Sequence, residues 1–165
     1  PANTPDPASP EYCRGLRNTF DFDINRTTGG IFGVENGPNS HDELNFIRPG
    51  RNYGWPALPM GVPGVQVGAM LYGCPTVIAP SAIHIHRGAG NWGAYIHNQF
   101  IASYADLHIL RLPMSGVAFT DVDSEEMFIE FERIGTDNAP LDIAEGPDGS
   151  LYISTFTAIW RVTRP

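Results

Sequence analysis

The sequence contains no lysine, because all ten of its basic residues are arginine. A chain without lysine cannot itself supply a lysine Schiff base, a P-loop phosphate contact or a Ser-Lys catalytic dyad. Its 18 acidic residues outnumber the ten arginines, which gives a formal charge of −8. Since nucleic acids and anionic membranes attract basic surfaces, this charge argues against either as a partner.

Long apolar runs are also missing, and none is long enough to span a membrane. The first thirteen residues, PANTPDPASPEYC, are rich in proline and have neither the basic nor the apolar region of a signal peptide. The two cysteines, Cys13 and Cys74, lack the CxxC spacing of redox and zinc sites. A disulfide between them and two separate buried thiols are both open interpretations.

Glycine and proline are abundant, with 18 and 15 residues, and this indicates a chain that turns often rather than a helical bundle. Hydrophobic residues make up 42% of the chain, which is enough for a packed core. Apolar and polar residues alternate between the turns, and this pattern predicts an all-β protein with no helix. The predicted strands lie at 19–25, 30–34, 43–47, 80–86, 95–103, 107–112, 126–132, 141–144, 151–155 and 158–162.

The clearest alternation is in the first of these segments. It places three apolar residues, Phe20, Phe22 and Ile24, on one face of the strand. The polar residues Asp21, Asp23 and Asn25 fall on the other face. A half-buried strand is predicted, with the apolar face directed into the protein.

A loose repeat of strand, glycine turn and aromatic-containing strand starts near residues 15, 79 and 139. It predicts a single domain of three four-stranded blades, at 11–73, 74–132 and 133–165. Because a closed propeller needs about four blades or more, the expected fold is a partial β-propeller with two open edges. Open edges favour pairing with another chain.

Several longer segments match one known family, beginning with Gly15–Asn18, Glu35–Asn45 and Pro49–Pro56. Two further segments, 79–81 and 143–153, continue the likeness. Together they resemble the soluble sugar dehydrogenases for glucose and other aldoses that depend on pyrroloquinoline quinone (PQQ). The resemblance covers nearly the whole chain but only the C-terminal half of the family's length. It implies a six-bladed propeller that holds the quinone and Ca²⁺ at its channel mouth and oxidises a sugar at the anomeric carbon. It also implies a periplasmic or secreted location.

The resemblance assigns roles to individual residues. Arg17 and Asn18 match the family's quinone contacts, and a guanidinium suits a cofactor with three carboxylates. Gly37 and Pro38 match positions whose backbone carbonyls bind the Ca²⁺, a hard cation that prefers oxygen. Asp42 matches an acidic residue beside that loop and is a further candidate metal ligand.

Each assignment has a simpler alternative. Arg17 could pair with a neighbouring carboxylate such as Glu35 instead of an anionic ligand. The segment Gly37-Pro38 could be a tight turn that needs no metal. Asp42 and Glu43 could be solvated loop acids rather than ligands.

Other positions depart from the family. Its catalytic histidine lies on an earlier blade, so no catalytic residue is assigned in this chain. Ala105 stands where the resemblance places a lysine contact to the quinone, and Ala139 and Leu141 stand at two arginine contacts. One hypothesis is therefore an enzyme completed by a second copy or by a separate N-terminal half. The alternative is a non-catalytic binding module, or an inactive fragment, that retains a cation-binding loop.

Three further features have weaker functional interpretations. His84 and His86 share one face of a strand, where they could bind a metal or serve as ordinary strand residues. His41, inside the matching loop, could touch a ligand. The segment Gly88–Gly93 fits the pattern GxGxxG, but it precedes a predicted strand rather than a helix and is interpreted as a loop, not an NAD site.

Overall fold

The computed structural model describes residues 10–56, 69–74, 76–133 and 137–163. Apart from two short 3-10 helices, Ala89–Asn91 and Gly93–Tyr95, the regular elements of these residues are all β-strands. The strands are β1 (Thr19–Ile24), β2 (Ile31–Glu35), β3 (Glu43–Ile47), β4 (Ala69–Gly73), β5 (Pro80–Ile85), β6 (Gln99–Ser103), β7 (His108–Leu112), β8 (Met114–Ser115), β9 (Asp121–Val122), β10 (Glu126–Glu130), β11 (Asp142–Glu145), β12 (Leu151–Ser154) and β13 (Ile159–Val162). The prediction of an all-β protein is confirmed.

The strands form antiparallel sheets in which neighbours along the chain are mostly neighbours in space. The first sheet has the order β1-β2-β3-β4, the second β5-β6-β7-β10 and the third β11-β12-β13, while β8 and β9 form a separate hairpin. The first strands of the three sheets pack against one another, β1 on β5 and β5 on β11. The sheets therefore meet along a line formed by their first strands.

Each junction between sheets is filled by its own hydrophobic cluster. In the middle sheet, Ile83 and Ile101 face the first sheet, whereas Phe100 and Ala102 face the third. The first cluster also contains Phe32, Val34, Leu44, Ile85, Leu110 and Leu112, and the second contains Trp92, Ile109, Phe131, Ala139, Ile143, Leu151 and Ile153. Full burial of each large apolar side chain favours folding by about 1.5–3 kcal/mol. The middle sheet is thus buried on both faces, which explains the unbroken burial of β5 and β6.

The predicted orientation of β1 is wrong. Its apolar side chains are the exposed ones, with 61% of Phe20, 57% of Phe22 and 43% of Ile24 accessible to solvent. The carboxylates of Asp21 and Asp23 instead point into the junction with the middle sheet.

Backbone hydrogen bonding is the reason for this orientation. Asp21 Oδ2 accepts the N–H of Ile83 at 2.9 Å, and Asp23 Oδ2 accepts the N–H of Ile85 at 2.8 Å. These donors lie on the edge of β5 that has no strand partner in its sheet. Because a buried N–H without an acceptor is costly, the carboxylates occupy this junction and the apolar face turns outward.

The structure also shows where β6 begins and that the two cysteines are not bridged. The predicted strand at 95–103 begins only at Gln99, because 3-10 turns and a left-handed backbone at His97 (φ 66°) interrupt the preceding residues. Cys13 and Cys74 are both free thiols. Burial raises the pKa of the Cys74 thiol to about 12, which keeps it protonated and unreactive.

We predict that replacing Asp21 with alanine will destabilise the fold by about 1–3 kcal/mol, because the buried N–H of Ile83 loses its acceptor. Urea denaturation followed by circular dichroism measures this change. The control is Asp137→Ala, at an exposed position, which should shift stability by less than about 0.5 kcal/mol. Equal stability of the two variants would contradict the proposed role of Asp21.

Candidate functional site

The loop that joins β2 to β3, residues 36–42, is held in place by one buried carboxylate. Asp42 Oδ1 accepts the N–H of Gly37 at 2.8 Å. Its Oδ2 accepts the N–H groups of Ile78 and Ala79, also at 2.8 Å each, from the segment that leads into β5. Asp42 therefore fastens this loop, called here the anchored loop, to the neighbouring sheet. All three of these contacts are to backbone N–H groups. The assignment of Asp42 as a metal ligand stays a prediction.

The anchored loop is tightly folded around Gly37. A Cβ added at Gly37 would lie 1.8 Å from the carbonyl oxygen of Ser40, so the turn has no room for a side chain there. Pro38 follows on the exposed side of the turn. His41, whose backbone is left-handed (φ 65°), is exposed, and its Nδ1 lies 2.6 Å from Ser40 Oγ. The assignment of the Gly37 and Pro38 carbonyls as Ca²⁺ ligands stays a prediction.

Arg17 lies next to the anchored loop. Its backbone N–H and that of Asn18 both donate to Glu35 Oε1. Its guanidinium donates from Nη1 to the carbonyl oxygen of Asn36 at 2.6 Å and lies 5.5 Å from the centre of the Trp55 ring. The contact with Glu35 is therefore made by the backbone, and the charged group is positioned at the start of the loop. The roles of Arg17 and Asn18 toward a cofactor stay predictions.

Two acidic side chains are buried beneath the loop. Asn45 Nδ2 donates to Glu35 Oε2 at 3.0 Å and to Glu43 Oε2 at 3.2 Å, and all three residues are buried. Burial raises the pKa of Glu35, and the charge of Glu43 adds to this effect, although the N–H groups of Arg17 and Asn18 oppose it. Glu43 is thus not the solvated loop acid of the simpler interpretation.

A cavity of about 480 Å³ opens at the point where the three sheets meet. It is lined by Phe20, Asn36, Ala79, Pro80, Ser81, Tyr104, Leu141 and Phe156. The side-chain nitrogen Nδ2 of Asn36 donates to the backbone carbonyl of Pro80, and Ser81 Oγ donates to the backbone carbonyl of Pro140 at 2.6 Å. Because these polar groups are used within the protein, the cavity presents a mainly apolar surface. It is called the apolar cavity below.

The three positions at which the resemblance places cations have different surroundings. Leu141 lines the apolar cavity, and Ala139 is completely buried in the core between the second and third sheets. Ala105 is exposed, and its carbonyl oxygen accepts from the guanidinium of Arg133 at 3.3 Å. Among the described residues that line the cavity, none carries a positive charge.

The two strand histidines belong to a separate polar cluster on the same line of first strands. His84 Nε2 lies 2.9 Å from Glu145 Oε2, and its Nδ1 lies 3.4 Å from Asp23 Oδ2. The ring of His86 stacks on Trp92 with a 4.9 Å separation of centroids, and burial lowers its pKa. In the part of the chain that the structure describes, no group of three or more His, Cys, Asp or Glu side chains is arranged to hold a metal. The ring of His84 thus joins Asp23 of the first sheet to Glu145 of the third, a contact that strand spacing alone could not reveal.

Comparison with known proteins places this geometry in context. The chain matches the Glucose / Sorbosone dehydrogenase family over residues 2–159. It is 25% identical to the aldose sugar dehydrogenase of Escherichia coli (strain K12) and 28% identical to an uncharacterized protein of Synechocystis. These matches cover 87% and 94% of this chain but only 40% of each relative. The chain thus spans well under half the length of these curated relatives.

Solved structures give the same result. The chain superimposes on a crystal structure of glucose dehydrogenase with a TM-score of 0.77 and 26% identity, covering 100% of this chain and 51% of the other. It superimposes on the PQQ-bound form of an aldose sugar dehydrogenase from Streptomyces coelicolor with a TM-score of 0.71 and 28% identity, covering 92% and 41%. The predicted partial β-propeller is confirmed.

We expect Asp42→Ala to destabilise the protein by at least about 3 kcal/mol, because three backbone N–H groups lose their acceptor together. Urea denaturation measures the loss. Asn39→Ala, at an exposed position of the same loop, should change stability by less than about 0.5 kcal/mol. A small effect of Asp42→Ala would show that the loop does not depend on this carboxylate.

A second prediction concerns acid stability. Burial would raise the pKa of Glu145, but hydrogen bonds from the backbone N–H of Arg87 and from His84 outweigh it and lower the pKa below its ordinary value of 4.5. Glu145 therefore stabilises the fold above about pH 4.5, and this contribution is lost as the pH falls through the lower folded-state value.

Glu145→Gln should consequently be less stable at neutral pH and lose less stability between pH 5 and pH 3 than the parent protein. Melting temperatures measured across this range test the expectation. Glu125→Gln, at an exposed position, should follow the parent curve. Parallel curves for Glu145→Gln and the parent would contradict it.

Proposed function

Since this chain belongs to the glucose/sorbosone dehydrogenase family, we propose that it forms three blades of a sugar dehydrogenase. The assembled protein oxidises an aldose at its anomeric carbon. The observation that carries this proposal is the anchored loop, which Asp42 fixes at a sheet junction beside the guanidinium of Arg17. Such a loop offers carbonyl oxygens and a cation at one place, as a site for a metal and an anionic group requires.

The donor set of the anchored loop fits Ca²⁺. The carbonyl oxygens of Gly37 and Pro38 would hold the ion, and the tight turn at Gly37 keeps them on a rigid support. When bound, Ca²⁺ would supply Lewis-acid polarisation of an oxygen atom of the reacting molecule.

The residues of the apolar cavity do not fit the quinone of the family. PQQ carries three carboxylates, and moving these into an apolar site without cations costs several kcal/mol each. Leu141 lines the cavity where the resemblance expects an arginine, and Ala139 is buried in the core. The described lining therefore supplies no counter-charge for the carboxylates of PQQ.

A second section of propeller completes the proposed enzyme, either as a second copy or as an N-terminal half. The exposed apolar face of β1, formed by Phe20, Phe22 and Ile24, supports this proposal, because adjacent large apolar side chains on a sheet face often mark an interaction surface. The proposed location is the periplasm or the exterior of the cell. None of the helical segments that the structure describes has the length and hydrophobicity of a membrane span.

The second candidate is a binding module without catalytic activity that keeps the cation-binding loop. The apolar lining of the cavity favours this function, because Leu141 and Ala139 replace the cations that would hold an anionic redox cofactor.

Calcium binding is tested on the purified chain. We expect Ca²⁺ to raise the melting temperature by several degrees, Mg²⁺ to have a much smaller effect, and a chelator to reverse the shift. Gly37→Ala should abolish the shift because the turn cannot accept a side chain. Gly93→Ala is the matched control, since a Cβ there meets no atom within 4 Å. If the melting temperature does not respond to Ca²⁺, the anchored loop is not a calcium site.

Sugar oxidation is tested by a dye-linked assay with several aldoses, Ca²⁺ and added PQQ, together with the mass of the protein in solution. Activity in a dimer or in a complex with a complementing section would support the enzyme. A calcium-dependent melting shift without any oxidation in such an assembly would support the binding module instead.

A further inference from the structure

The apolar cavity has the size of a site for a small organic molecule. Its volume of about 480 Å³ falls in the usual range for ligand pockets, roughly 300–1,000 Å³. Residues from all three sheets form it, since Phe20 belongs to β1, Pro80 to β5, and Leu141 immediately precedes β11. A molecule bound there would contact residues in or next to all three sheets.

Three of the eight residues that line this cavity are aromatic. Phe20 and Phe156 leave 61% and 57% of their surface exposed, although both line the cavity. Tyr104 meets Phe156 edge to face, with 6.2 Å between ring centroids. Rings placed in this way offer flat apolar faces and edges to another ring system.

The charges of the protein disfavour the binding of an anionic ligand in this cavity. The described lining residues include no arginine or histidine, and the whole chain has a formal charge of −8. The guanidinium of Arg17 lies nearby, against the carbonyl of Asn36 and the Trp55 ring, but Arg17 does not line the cavity. An anionic ligand would lose its hydration without gaining a cation, whereas a neutral ring compound would lose little.

We infer that the apolar cavity binds an uncharged, aromatic ring compound and rejects anionic ligands of the same shape. Leu141 sets this preference for uncharged ligands. It is an apolar residue in the cavity lining, and a cationic side chain at the same position would favour anionic ligands instead. This inference concerns binding alone and does not require the proposed sugar oxidation to be correct.

Two fluorescent probes with the same ring skeleton test the charge preference. N-phenyl-1-naphthylamine is neutral, and 8-anilinonaphthalene-1-sulfonate carries one negative charge. We expect the neutral probe to bind roughly tenfold or more tightly in a fluorescence titration, because the sulfonate is desolvated without a partner. Equal affinities, or tighter binding of the sulfonate, would overturn the inference.

Leu141→Arg should reverse the preference and also increase binding of PQQ, because it places a guanidinium in the lining. Circular dichroism and the melting temperature establish that this variant is folded.

A second pair of variants tests the location of the bound probe and remains informative if Leu141→Arg does not fold. Phe156→Ser removes one exposed ring from the cavity and should weaken the neutral probe at least roughly fivefold. Phe22→Ser is the matched control, because Phe22 is also 57% exposed but does not line this cavity. Equal weakening by both variants would mean general adsorption to exposed rings and would overturn the inference. Neutral-probe binding without sugar oxidation would leave the inference intact while contradicting the proposed enzyme.

Discussion

The structure depends on carboxylates that accept backbone N–H groups across the junctions between sheets. One edge of β5 has no neighbouring strand within its own sheet, and the N–H groups of Ile83 and Ile85 point from this edge. Asp21 and Asp23 reach from the first sheet to these donors, and Glu145 reaches from the third sheet to the N–H of Arg87. Each bond joins a charged acceptor to a backbone donor, a strong kind of hydrogen bond. These acceptors pair the edge donors of β5, while the hydrophobic clusters on the two faces of the middle sheet hold the sheets together.

The same constraint builds the candidate site. Asp42 binds the anchored loop to the residues that precede β5, so the loop has a fixed position relative to the second sheet. Arg17 is held at the start of this loop by the carbonyl of Asn36. The apolar cavity lies at this end of the junction, whereas the polar cluster of His84 and Glu145 lies further along it. One line of first strands therefore carries both a polar and an apolar region.

The local pattern of the sequence predicted most strands closely, because alternation and turn residues are local signals. It failed at β1, where Phe20 and Phe22 are exposed and Asp21 is directed inward. Alternation shows that two faces of a strand differ, but it does not show which face the tertiary structure buries. The start of β6 was also misplaced, because the 3-10 turn at Gly93–Tyr95 has no distinctive sequence pattern.

The sequence by itself determined the all-β class, most of the strands and the motif of the anchored loop, since these depend on neighbouring residues, but it did not predict β4, β8 and β9. The motif indicated that Gly37 and Asp42 belong together, but not that Asp42 would bind three N–H groups from two segments of the chain. Only the tertiary structure decided that Leu141 lines a cavity while Ala139 is buried in the core. The physical reason is that a side chain's role depends on the unpaired donors and open space it meets, and these come from segments distant in sequence.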